Sequence, residues 1–281
     1  MKAFAPGIYP RSEALVQATR DLERGRTSPE AVAEQEQRDF QELVSVQRAA
    51  GLSFLSDGML AWQDLFRPLA DAAEGLDARP LTRFLDTNTF YRAVLVGGEP
   101  HLATPLPAPD LPAGEWVGTL PSPLAFARAA RGEVSAQKLA ANVLAPQIAA
   151  WAGAGAAMIV LSDPFAAREG SADALLRALQ ELPAAPLALQ LPFGDASSVL
   201  PALADAPVAA IGVDFYSTSL DALPREYPKE VLAGVLDARS SALESPGEIA
   251  GFAEELLALE PIAAEKLARL GRAVPGLAEV A

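Results

Sequence analysis

The sequence contains no cysteine, which excludes disulfides, a thiol nucleophile and thiolate metal ligands. It has one histidine, His101, set in the proline-rich stretch "GEPHLATPLPAPDLP". Such a setting suits a surface side chain better than a general base or a metal ligand. Any metal would therefore depend largely on oxygen donors, such as a weakly held magnesium among Asp163, Asp214 and Asp237. Positive charge is scarce: 22 Lys and Arg face 36 Asp and Glu, for a net charge of -14. That balance disfavours nucleic acid and anionic membrane surfaces as partners. No apolar run approaches the roughly 20 residues that span a bilayer. The nearest, "LAPQIAAWAGAGAAMIVL", is interrupted by Gln147 and a Gly/Ala-rich break. The opening "MKAFAPGIYPRSEA" has no long apolar stretch of the kind a secretory signal needs. Glycine-rich phosphate loops are missing too, since no GxGxxG or Walker pattern follows any apolar run. These absences lead us to expect a soluble, cytoplasmic protein with no bound cofactor.

What is present is apolar residue, at 51% of the 281, enough for a sizeable core. Its arrangement is alternating. Near the start, Ser12 and Ser28 stand where helix N-caps belong, the second followed by Pro29, and Gly25 and Gly51 mark helix ends. Short strands are expected in "KAFAPGI" and "LSFLSDG", with a helix over 59–75 stopped near Gly75. "TRFLDTNTFYRAVLVGG" is rich in β-branched and aromatic residues and predicts a hairpin or extended excursion around 82–98. "EWVGTLPSP" reads as a strand, and the segment after Val134 as a long helix kinked by Pro146.

Beyond this point strands at 157–161, 186–191, 208–213 and 230–236 alternate with helices at 171–181, 196–204 and 247–258, with a short helical segment near Leu220. "LGRAVPGLAEVA" adds a last candidate strand. About eight strands in α/β alternation predict one (β/α)8 TIM barrel over 1–281. A doubly wound sheet is the alternative.

The strand ends carry chemistry. "MIVLSDPF" shows the recurring figure of an apolar run, then a polar residue, then an acid. In a parallel barrel the strands are buried on both faces and their C-terminal tips build the active-site mouth. The polar tips are Tyr9 with Arg11, Asp57, Ser122, Ser162 with Asp163, Gln190, Asp214 with Tyr216, and Asp237 with Arg239. Turn formation alone accounts for single cases. Recurrence favours a shared anionic mouth.

The motifs "GIYPRS", "SDGMLAWQDLF", "FLDTNTFYR", "LPSPLAFAR", "LSDPFAAREG" and "GVLDARSSALES" resemble, in order and spacing, the C-terminal catalytic barrel of cobalamin-independent methionine synthase, particularly its short single-barrel archaeal forms. The resemblance covers nearly the whole chain and implies a (β/α)8 barrel that transfers a methyl group to the homocysteine thiol. In that family zinc holds the thiol as thiolate, through a histidine and a cysteine at one strand tip, a glutamate at the next and a C-terminal cysteine. Here those positions read Gln190, Pro192, Asp214 and Pro275, so the resemblance implies a degenerate zinc site and no metal. Ser162 stands where the family places an aspartate that contacts the substrate amine. Asp86, Asn88, Arg92, Asp237, Arg239 and Glu244 keep the family pattern.

The resulting expectation is a zinc-independent, methionine-synthase-like methyltransferase acting on or binding a small thiol, amino acid or pterin-like ligand. Asp214, Asp237 and Asp163 are the candidate acid/base residues. Tyr9, Arg11, Asp57, Asp86, Asn88, Arg92, Ser162, Arg239 and Glu244 are the candidate ligand contacts. The alternatives are a non-catalytic binding or regulatory barrel, and a metal-free enzyme resembling the uroporphyrinogen decarboxylases of the same superfamily.

Overall fold

The computed structural model describes residues 2–85, 90–223, 227–236 and 244–258. Its first two helices are α1 (Glu13–Glu23) and α2 (Pro29–Ala49). Both start as the sequence predicts. Ser12 Oγ accepts from Leu15 N at 3.1 Å, and Ser28 Oγ from Ala31 N at 3.3 Å with Pro29 in the first turn. The two pack through Leu15, Val32, Leu43 and Leu60. Asp39 of α2 ties them together, accepting from both Ser12 N and Ser12 Oγ.

The expected N-terminal strand does not form. Residues 2–10 run irregularly, with Pro6 and Pro10 unable to donate to a ladder. They are held by Ser53 N donating to Ala3 O and Ser56 Oγ donating to Ala5 O. "LSFLSDG" is also reduced, to a single parallel bridge between Leu55 and Trp116. The helix expected over 59–75 survives only as α3 (Arg67–Ala72). Asp64 sets its start by accepting from Phe66 N and Arg67 N, and Gly75 falls in the next strand instead of ending a helix.

That strand, β1 (Ala73–Arg83), pairs antiparallel with β2 (Phe90–Leu102) as a hairpin. Its register slips between Ala78 and Leu81, around Pro80. Then follow β3 (Val117–Pro121), α4 (Pro123–Ala129) and the two-residue β4 (Ala130–Arg131), which pairs with β2. The helix expected to kink at Pro146 is α5 (Ala136–Leu139), a π turn over Ala140–Leu144, and α6 (Ala145–Gly153). The widened turn takes up the proline's missing N–H without breaking the helix.

The remainder is β5 (Met158–Ser162), α7 (Ala166–Glu169), α8 (Asp173–Leu179), β6 (Leu187–Leu191), α9 (Leu200–Leu203), β7 (Ala210–Asp214), a 3-10 turn at Leu220–Ala222, β8 (Glu230–Gly234) and α10 (Pro246–Ala258). Strands β3, β5, β6, β7 and β8 form one parallel sheet in that order, and the hairpin with β4 forms another. Every neighbouring pair in the parallel sheet is consecutive within it, with helices in the crossovers. The fold is thus mixed α/β. The last expected strand, in "LGRAVPGLAEVA", lies outside the described residues.

Alternation along these strands sorts their side chains. Leu120, Ile159, Leu161, Leu187, Leu189, Leu191, Ile211 and Val213 join the main core with the helices. Val160, Ala188 and Ala210 face the other way, with Phe4, Met158 and Leu232 packed against them. Phe4 thus covers residues of β5, β6 and β7 on the face opposite the main core. Among the described residues no helix is long and apolar enough to cross a membrane.

Candidate functional site

The parallel register places the strand-end residues. Ser162 of β5 pairs with Gln190 of β6, which pairs with Gly212 of β7, and Asp214 of β7 pairs with Gly234 of β8. Ser162, Gln190 and Asp214 share the face of Val160, Ala188 and Ala210, because side chains alternate with period two. Neighbouring strands lie about 4.8 Å apart and two residues advance about 7 Å. Asp214 therefore stands one step nearer the C-terminal end than the Ser162–Gln190 pair.

Gln190 and Ser162 are half-buried, and neither side chain has a hydrogen-bond partner among the described residues. Other glutamines of the interior behave differently. Gln47 donates to Ser56 O and accepts from Ser56 N, and Gln147 does the same with Leu106. Those two amides clamp backbone; Gln190 does not. Gly212 makes room for it, since a Cβ there would fall 3.1 to 3.2 Å from Gln190 Cα, Cβ and Cγ.

The acids at the tips are engaged locally. Asp214 Oδ1 accepts from Tyr216 N at 3.0 Å and Oδ2 from Ser217 Oγ at 2.9 Å. Tyr216 in turn donates to Glu244 Oε1 at 2.8 Å. Asp163 is fully buried: Oδ1 accepts from Phe165 N and Ala166 N, and Oδ2 from Ser122 Oγ. Its chain position puts it on the opposite face from Ser162, where it starts α7 and joins β5 to β3. Burial pushes its carboxyl above the ordinary range, against the opposing pull of the Ser122 bond. Asp57 is likewise raised by burial, and its Oδ1 accepts from Met59 N at 2.9 Å.

The basic and aromatic candidates are spread more widely. Tyr9 is exposed and its N–H reaches Gly58 O at 2.8 Å, so it accompanies Asp57. Arg11 is near enough to Glu36 of α2 to oppose the burial that raises Glu36. Arg92 lies on β2, its N–H given to Asp64 and its guanidinium 3.6 Å from Glu23 of α1. The hairpin does approach the tip of β5, where the Phe84 and Phe165 rings are 6.5 Å apart. Asp86, Asn88, Asp237, Arg239 and Pro275 lie outside the described residues.

The sequence reading missed two features here. Asp64 is buried and accepts three backbone N–H groups, from Phe66, Arg67 and Arg92. Phe193, just past β6, has φ of +64°, and Met59, just past Asp57, has φ of +52°. Left-handed backbone at non-glycine residues costs about 1–2 kcal/mol each and tends to gather near ligand sites. Only the adjacent glycines, Gly194 and Gly58, hint at either in the sequence.

As a metal site this donor set is poor. Gln190 is neutral, Pro192 has no side-chain donor, and both Asp214 oxygens already accept. Among the described residues no three His, Cys, Asp or Glu side chains cluster to hold an ion.

No family model and no curated protein matches the sequence. Solved structures do resemble the fold. A B12-independent methionine synthase from Shewanella sp. W3-18-1, in complex with selenomethionine, aligns with TM-score 0.67 at 17% identity, over 83% of this chain and 80% of that one. A putative vitamin-B12-independent methionine synthase from Listeria monocytogenes aligns with TM-score 0.67 at 15% identity, over 93% of this chain and 88% of that one. This chain therefore has the fold of the B12-independent methionine synthases.

Proposed function

We propose that the chain is a closed (β/α)8 barrel of the methionine-synthase kind that binds a small polar ligand at the C-terminal ends of its parallel strands, without zinc. The observation that carries this is the Ser162–Gln190 pair: adjacent polar side chains on the face of the sheet opposite the main core, with no hydrogen-bond partner among the described residues. Closure is supported by Phe4, which packs on the small side chains Val160, Ala188 and Ala210 on the face of the sheet opposite the helices. The fold of the two methionine synthases supports a methyltransferase-superfamily assignment, with a thiol, amino acid or pterin-like compound as ligand. Tyr9, Arg11, Asp57, Asp86, Asn88, Arg239 and Glu244 stay in the proposal as ligand contacts, and Asp237 as the remaining acid.

A second reading, a binding barrel without catalysis, is favoured by one specific fact. Asp163 is buried on the face opposite Ser162, and Asp214 holds Tyr216 N and Ser217 Oγ, so both acids already serve the fold locally. A free thiol is only a few per cent thiolate at neutral pH, so transfer without an activating base is slow.

The test is a thermal-shift series with homocysteine, methionine and folates, paired with an assay for methionine formation. A ligand at about 100 times its Kd stabilises by about 2.7 kcal/mol, a clear rise in Tm. Stabilisation with turnover supports the methyltransferase, and stabilisation without turnover the binding barrel. No shift with any of them would overturn the site.

A further inference from the structure

We infer that the Ser162–Gln190 pair selects a ligand by a neutral amide edge, a carboxamide or lactam carrying one N–H donor beside one carbonyl acceptor. The inference rests on the reading of these strand ends as a ligand site and adds the chemical class.

The argument is one of complementarity. A glutamine head offers one carbonyl acceptor and two N–H donors on the same carbon, and a serine hydroxyl offers both roles. An ammonium ligand satisfies only the glutamine oxygen. A carboxylate satisfies only its nitrogen. An amide satisfies both at once, and a polar group that a ligand covers but leaves unpaired costs the desolvation penalty of that group.

Charge points the same way. Among the described strand residues, the face shared by Ser162 and Gln190 carries Thr119, Pro121, Ser162, Gln190, Asp214 and Glu230 as its polar or proline positions, with no Lys or Arg among them. Among these described strand positions an anionic group beside Gln190 would meet no cation and would have Asp214 of β7 one step nearer the C-terminal end. Gln190 is also braced. Its Cβ and Cγ occupy the space that any side chain at Gly212 would need, which limits the stem while the amide stays uncommitted.

The probe is nicotinamide against nicotinate, equal in shape and differing in charge and donor. Side-chain amide NMR of glutamine-labelled protein, with the Gln190 signal identified by its absence in Gln190→Leu, reads the contact directly. Nicotinamide is expected to shift that signal saturably and nicotinate to leave it unmoved. Gln190→Leu is expected to weaken nicotinamide binding about tenfold or more, as is Gln190→Glu, which keeps the shape and removes the donors. Circular dichroism checks that both variants fold. Equal binding of nicotinate, unchanged affinity in Gln190→Glu, or no shift with nicotinamide each overturns the inference. If one of the thermal-shift ligands still stabilises the protein in that case, the ligand site stands and only the amide selectivity falls.

Discussion

Gly212 leaves open the space into which the Gln190 stem packs. A methyl group at that position would sit 3.1 Å from the Gln190 Cα and 3.2 Å from its Cβ and Cγ, tighter than side chains normally tolerate. The two are direct cross-strand neighbours on β6 and β7, so the crowding cannot be relieved by a distant rotamer change.

Gly212→Ala is therefore expected to cost about 1–3 kcal/mol, the usual range for overpacking. More tellingly, it should blunt any ligand-induced rise in Tm by displacing Gln190. Urea denaturation gives the first quantity and thermal shift the second. A variant that keeps full stability and full ligand response would break the link between these residues.

Asp64 joins the start of α3 to the hairpin. Its carboxylate accepts three backbone N–H groups at 2.8 to 2.9 Å, one of them from Arg92 on β2. Asp64→Ala should cost roughly 3 kcal/mol, each bond contributing about 1. Arg92→Ala should cost under about 1 kcal/mol, since its ion pair with Glu23 is a half-exposed surface contact. A chemical denaturation series separates the two. The reverse order would overturn this assignment of roles to Asp64 and Arg92.

Asp163 should make stability depend on pH in a defined direction. Burial holds its folded-state carboxyl above the ordinary value, so the folded protein binds that proton more tightly than the unfolded chain. Stability from this group is thus full below the ordinary carboxylate range and is lost as pH rises through the folded value. Asp57, also raised by burial, adds to the same slope. Asp163→Asn keeps an acceptor for the Phe165 and Ala166 N–H groups and should flatten part of that slope. Asp163→Leu keeps none and should cost several kcal/mol, on the order of the penalty for unpaired buried donors. Denaturation midpoints measured from acid to neutral pH check the sign: wild type gaining stability across that window, relative to Asp163→Asn, would refute it.

How far the sequence was legible depended on distance along the chain. Strand β5 falls within a residue of its expected place because a continuous apolar run is a local signal, and so are the caps at Ser12 and Ser28. The helix expected over 59–75 shrank to Arg67–Ala72 because Asp64, a local polar group, takes the N–H groups that would have propagated it. The strand expected in "KAFAPGI" failed at Pro6. Asp163 reads from sequence as an acid on a strand tip; its bond to Ser122 spans 41 residues and arises only when β5 pairs with β3. The same holds for Gln190, whose role depends on Gly212 being set opposite it by register.

The last prediction concerns metal. Purified protein is expected to contain no stoichiometric zinc, and a chelator should leave its Tm unchanged. Zinc sites in proteins take at least three nitrogen, sulfur or carboxylate ligands. The tips offer Gln190, Pro192 and Asp214, of which only Asp214 is a competent donor, and its oxygens already accept from Tyr216 N and Ser217 Oγ. His101, the sole imidazole of the chain, is held on β2 opposite Glu74, in the hairpin sheet and not in the parallel one. A carboxylate-bound magnesium would need Asp163 to leave three hydrogen bonds and turn to the other face of its strand. Elemental analysis finding one zinc per chain, lost on chelation together with a drop in Tm, would overturn the metal-free reading.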